Sequence, residues 1–139
     1  MRIRQFVIGD SAAVFELRSA AGLLWPSNDP VLDIERKVED SPWGFLVMVE
    51  DDDIIGSLMV GFDGHRGWVN YLARHPLHRR RSVAASLMTE ASKILAARGC
   101  PKINLQVRAG NEASVKFSES IGYVAEEVSS LGLRLVNDQ

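Results

Sequence analysis

Cysteine is almost missing from this 139-residue chain, and the one present, Cys100, cannot form an internal disulfide. Without a second thiol or a spaced histidine pair nearby it is a poor metal ligand, so no metal is expected and Cys100 reads as a small buried side chain. Long apolar runs are missing too. No stretch nears the roughly 20 residues a membrane helix needs, and the opening MRIRQFVIGD lacks the apolar centre of a secretory signal. A cytoplasmic protein with no membrane partner is expected. There is no basic excess either: 16 Lys and Arg stand against 18 Asp and Glu, a net charge of −2, which argues against a general nucleic-acid binder. Nothing resembling a spacer, repeat or low-complexity tract breaks the chain, so residues 1–139 read as one domain.

What is present concentrates in His75 to Leu87, HPLHRRRSVAASL. Three consecutive arginines, Arg79, Arg80 and Arg81, precede a helical pattern in which Val83, Ala84, Leu87, Met88, Ala91, Ile94 and Leu95 recur at three- and four-residue steps. Ser82 stands where an N-cap belongs. Small residues at a helix start let a phosphate approach unpaired backbone N–H groups, and arginines beside them suit a di- or triphosphate. The plainer alternative is an exposed basic loop before an amphipathic helix.

Along the chain, Arg2 to Ile8 reads as a strand, and Asp10 as the cap of a helix whose Val14, Leu17 and Ala21 share a face. Asp29-Pro30 opens a second helix to about Asp40, with Val31, Ile34 and Val38 on one side and Asp33–Lys37 and Arg36–Asp40 pairs on the other. Trp43 to Glu50, apolar on both faces, predicts a central strand, and the acidic turn Asp51 to Asp53 returns it antiparallel as Ile54 to Phe62. The turn DGHRG (Asp63 to Gly67) leads to a strand over Trp68 to Arg74. After the long helix, Gly99 and Pro101 stop the chain and Ile103, Leu105 and Val107 alternate as a further strand. Asn111 or a neighbour caps the last helix, Gly122 ends it, and Tyr123 to Val128 and Leu131 to Leu135 predict two closing strands.

This order, β-α-α-β-β-β-α-β-α-β-β, together with Arg79-Arg80-Arg81-Ser82-Val83-Ala84, resembles the GNAT superfamily of acyl-CoA-dependent N-acyltransferases, whose cofactor signature is Gln/Arg-x-x-Gly-x-Gly/Ala. Asn28 to Pro30, Asp33 to Lys37, Gly61 to Gly67, Tyr71-Leu72 and Arg98 to Ile103 resemble more narrowly the small bacterial single-domain acetyltransferases of the YpeA type. The resemblance implies an α/β (α+β) fold: a mixed, mostly antiparallel sheet of about seven strands flanked by about four helices. It implies acetyl-CoA as co-substrate, held by Leu72, Ala73 and Arg74 on the fourth strand, by Arg79 to Ala84, and by Asn111 and Ser118. Asn111 serves equally as a plain helix cap. Ser118 occupies the place of a tyrosine that in many relatives protonates the leaving thiolate; a serine hydroxyl is a much poorer acid.

The implied reaction is attack of a primary amine, from a small molecule, an amino acid or a protein, on the acetyl thioester. Relatives build the acceptor end from the loop and helix after the first helix and from the DGHRG turn, which points to Trp25, Asn28, Asp29, Arg36, His65 and Arg66, with Asp33 and Asp63 also at hand. Tyr71, Ser118 and Glu35 are the candidate proton-transfer groups; Tyr71 is either core or a donor beside the acyl group. His65 between glycines either shapes its turn or titrates near neutral pH, and Trp25 and Trp68 either line an amine pocket or pack the core. A non-catalytic acyl-CoA-binding or sensing domain is the alternative in a different class, and the chain is expected as a monomer or homodimer.

Overall fold

The computed structural model describes residues 1–24, 29–77 and 81–136, the Arg81 side chain excepted. Five strands, β1 (Arg2–Gln5), β2 (Phe45–Glu50), β3 (Asp53–Phe62), β4 (Gly67–Arg74) and β5 (Ile103–Leu105), form one sheet in chain order. Pairs β1–β2, β2–β3 and β3–β4 are antiparallel, and β4–β5 is parallel. Among the described residues four α-helices accompany it: α1 (Ser11–Ala20), α2 (Pro30–Asp40), α3 (Arg81–Ala97) and α4 (Glu112–Ser120).

Because side chains alternate along a strand, β2 can be apolar throughout only if both sheet faces are covered. Both are. Leu46 and Met48 join Leu58, Val60 and Val69 against Val83, Leu87, Met88, Ala91 and Leu95 of α3, whereas Phe45, Val47 and Val49 join Met59 against Val14 of α1 and Ile34 of α2. Close approach to α3 depends on Gly56 of β3: a Cβ there would lie 2.8 Å from Val83 Cγ1 and 3.0 Å from Leu87 Cδ1. The turn joining β2 to β3 places Asp51 and Asp52 at φ 49° and 67°, a pattern that acidic residues tolerate in tight hairpins.

Several local expectations need correction. Asp10 ends a 3-10 turn (Ile8–Asp10) and makes no side-chain cap to α1; its carboxylate instead accepts from Arg4 and from Val7 N–H. Val31 is exposed, since the helix stripe turns inward only at Ile34. The Asp33–Lys37 pair is replaced: Lys37 reaches inward to Ser41 Oγ and the Val60 carbonyl, and Asp33 bonds elsewhere. Ser82 lies inside the first turn of α3, which already begins at Arg81. The strand after α3 stops at Leu105, before Val107. Neither closing strand forms among the described residues, so the sheet has five strands there and not seven; Val124, Val128, Leu131, Leu133 and Leu135 are exposed. That segment is tied to the β5 region through side chains, Lys102 and Asn104 to Glu126 and Gln106 to Ser130. Alternation supplies a strand's face, but a strand also needs a backbone partner.

Candidate active site

Up to Val69, β4 is paired on both sides, facing β3 and, through Gly67, Trp68 and Val69, β5. Then it changes character. Asn70 faces Met59 and Ala73 faces Ser57, so Tyr71 and Leu72 together stand opposite Leu58, a β-bulge. Tyr71 takes φ 53°, a left-handed value that a bulky residue holds only where its surroundings impose it. The β5 ladder ends at Leu105, and among the described residues no strand lies beside β4 past Val69 on that side. A strand edge of this kind offers backbone groups to an extended amide-containing ligand. The chain then leads from Arg74 toward the N-terminal turn of α3, where Ser82 is exposed and Val83 and Ala84 are buried. Strand edge and helix start together fit the amide arm and the pyrophosphate of a CoA molecule. Among the described residues no His, Cys, Asp and Glu cluster could hold a metal.

The two residues at the bulge serve opposite faces of the sheet: Leu72 packs against the α3 side and Tyr71 against the α1–α2 side. The Tyr71 hydroxyl donates to Asp33 Oδ2 at 2.6 Å, and Asp33 also meets Arg36 at 4.0 Å. Over the Tyr71 ring, 4.1 Å from its centroid, lies the guanidinium of Arg18, itself 5.5 Å from the Phe45 ring. Arg18 is 1% exposed, and its Nε, Nη1 and Nη2 have no hydrogen-bond partner among the described residues. Burial lowers this guanidinium to about 10, opposed by the nearby Tyr71 and Asp33, so it remains charged at neutral pH.

Arg18 was not singled out from the sequence, although a signal was there: it falls four residues after Val14, on the same apolar stripe, where a leucine would ordinarily stand.

Other expected residues are dispersed. Asp29 caps α2, accepting from Val31 and Leu32 N–H, while Glu35 and Arg36 lie exposed on that helix. His65 and Arg66 belong to the β3–β4 turn, where Asp63 Oδ1 accepts from both backbone N–H groups at 2.7 Å; these bonds, Arg66 first, hold the Asp63 carboxyl below its usual range. Tyr71 lies five residues beyond Arg66, roughly 16 Å along the strand at about 3.3 Å per residue, so turn and bulge are not side by side. Trp68 is half-buried. Ser118 is buried and donates to the Ser114 carbonyl at 2.8 Å, which occupies its only proton. Asn111 caps α4, accepting from Ser114 N–H. Trp25, Asn28, Arg79, Arg80 and the Arg81 side chain fall outside the described residues.

Comparison with known proteins gives the fold its family. Residues 12–123 match the Acetyltransferase (GNAT) family. The chain belongs to that family. It is 45% identical over its full length to an acetyltransferase of Sodalis glossinidius, of which it covers 99%. Among solved structures it is similar to an aminoglycoside 6'-N-acetyltransferase of Acinetobacter haemolyticus, at TM-score 0.77 and 19% identity over 98% of this chain and all of that one. A second aminoglycoside N-acetyltransferase, solved with a CoA-containing bisubstrate analog, gives TM-score 0.77 at 18% identity, covering 96% of this chain and 97% of that one. As a GNAT protein the chain is an acetyl-CoA-dependent N-acetyltransferase, with a mixed sheet of mostly antiparallel strands.

Proposed function

We propose that this enzyme moves the acetyl group of acetyl-CoA to a primary amine by direct attack of the amine on the thioester. The observation that carries the reading is the β4 edge between Val69 and α3, where the Tyr71–Leu72 bulge against β3 falls and the pairing with β5 has ended. Acetyl-CoA supplies the activated carbonyl and a thiol leaving group. The backbone of Leu72 to Arg74 holds the amide arm, and the first turn of α3, with Arg79 to Arg81, Ser82, Val83 and Ala84, holds the pyrophosphate. Asn111 stays a cap.

Proton movement falls to Tyr71 and Asp33. With its proton held by Asp33, the Tyr71 oxygen accepts a hydrogen bond from the amine; as the amine loses its proton to that oxygen, the phenol passes its own to the carboxylate. Ser118 contributes no acid. An alkyl thiol has a pKa near about 8.5, so departure as thiolate needs little assistance.

The test is thiol release from acetyl-CoA against a broad amine panel, with CoA titrated calorimetrically. Tyr71→Phe is expected to lower kcat by about a hundredfold, within the usual worth of proton-transfer catalysis, and to change CoA affinity less than about twofold. An unchanged kcat would remove the relay. Absence of CoA binding to the wild type at millimolar concentration would remove the reading itself.

A further inference from the structure

Resting on the acetyl-transfer reading, we infer that Arg18 is the receptor for a carboxylate on the acceptor, which makes the acceptor a free amino acid. A buried guanidinium whose three nitrogens have no hydrogen-bond partner among the described residues is disfavoured, because the hydrogen bonds it would make to water are not replaced. Contact with the Tyr71 and Phe45 rings recovers part of this, and a cation in the last turn of α1 suits the helix dipole. Neither needs the fork of donors that arginine brings. Leucine or methionine at this position of the stripe would pack without penalty.

The location gives that fork a use. Arg18 and the Tyr71 hydroxyl share one aromatic ring: the guanidinium stacks on its face, and the oxygen that is to meet the amine stands at its edge. A molecule bonded to both carries an amine and a planar oxyanion a few bonds apart, and an amino acid is the simplest such molecule. Guanidinium and carboxylate match as two parallel N–H···O bonds. Asp33 does not fill the role, since its carboxylate is engaged by Tyr71 and meets Arg36 instead. At 1% exposure the fork is reached only when surrounding side chains part, which favours a small planar anion over a phosphate or a protein chain.

The experiment takes full-length wild type and Arg18→Met through thermal melts and thiol-release assays with the twenty free L-amino acids and their carboxamides, with CoA affinity measured alongside. At least one amino acid should raise the wild-type Tm and show kcat/KM at least tenfold above that of its carboxamide. Arg18→Met should bind CoA as wild type does, melt higher without ligand, and treat acid and carboxamide alike. A merely structural arginine would give a lower Tm and leave the selectivity untouched. The inference is overturned if no amino acid stabilises the wild type, if acid and carboxamide are equal substrates, or if the preference survives in Arg18→Met. Should Arg18→Met not fold, Arg18→Lys keeps the charge without the fork and should reduce the preference to a few-fold; an unreduced preference overturns the inference. If nothing is acetylated, the transfer reading fails separately, and stabilisation by an amino acid that vanishes in Arg18→Met still upholds the carboxylate site.

Discussion

Asp10 shows how much one side chain can anchor. Both its oxygens accept from Arg4, at 2.7 and 2.9 Å, and one accepts from Val7 N–H at 2.9 Å, fixing the passage from β1 into α1. The Arg4 bond above all holds its carboxyl below the ordinary carboxylate value. A carboxylate depressed on folding stabilises the native state above its unfolded pKa of about 3.9. That stability drains away as pH falls through the lower, folded value. Asp10→Asn should therefore cost about 1.5–3 kcal/mol at pH 7, the usual range for a hydrogen bond to a charged group. Its difference from wild type should shrink below about pH 4; denaturant melts at pH 7 and pH 3 check this, and a difference that stays constant with pH would contradict it. Charged residues that turn inward were the least legible part of the chain. Arg18 and Lys37 both lie on helices whose spacing suggested ordinary exposed charge or said nothing, and what draws each inward is supplied by distant strands: the Tyr71 ring for one, the Val60 carbonyl for the other.

At the scale of elements, pattern and packing agree wherever one face must be covered. The α3 stripe is buried at Val83, Leu87, Met88, Ala91 and Leu95, and Asp29-Pro30 starts α2 with the expected cap. Glycines at contacts are quieter signals. Gly56 allows α3 to settle on β3, and the methyl of Gly56→Ala would press on two fully buried side chains, Val83 and Leu87, so about 1–3 kcal/mol of destabilisation is expected from overpacking. A chemical melt would show it as a lower midpoint with unchanged slope. A midpoint equal to wild type would mean that α3 can withdraw freely. The bulge, by contrast, could not be read from the order of residues in β4, because it is a mismatch between two strands; only the register against β3 reveals that Tyr71 and Leu72 share one partner.

Over the whole molecule, the two-faced sheet and the order of its elements through α4 were legible from periodicity and turn residues, and the family resemblance directed attention to the β4-to-α3 corner. The group proposed to meet the acceptor was not legible as a group: Arg18, Tyr71 and Asp33 are assembled from α1, β4 and α2 across the fold, apart from the DGHRG turn. Alternation between Tyr123 and Leu135 promised strands because sequence reports which face is apolar and not whether an edge is available.

The end of the β4–β5 ladder at Val69 leaves a mark that needs no substrate to be seen. Backbone amides in a strand point alternately to the two sides, so beyond Val69 those directed toward β3 sit in a ladder while those on the other side meet no strand among the described residues. In deuterated water, hydrogen exchange along residues 70–74 should therefore mix slow and fast positions, the regular alternation being broken at the Tyr71–Leu72 bulge, with Gly67 to Val69 slow throughout. Saturating CoA should slow the fast ones and leave their neighbours unchanged. Uniform protection in the unliganded protein would mean that in solution another segment already lies along that edge.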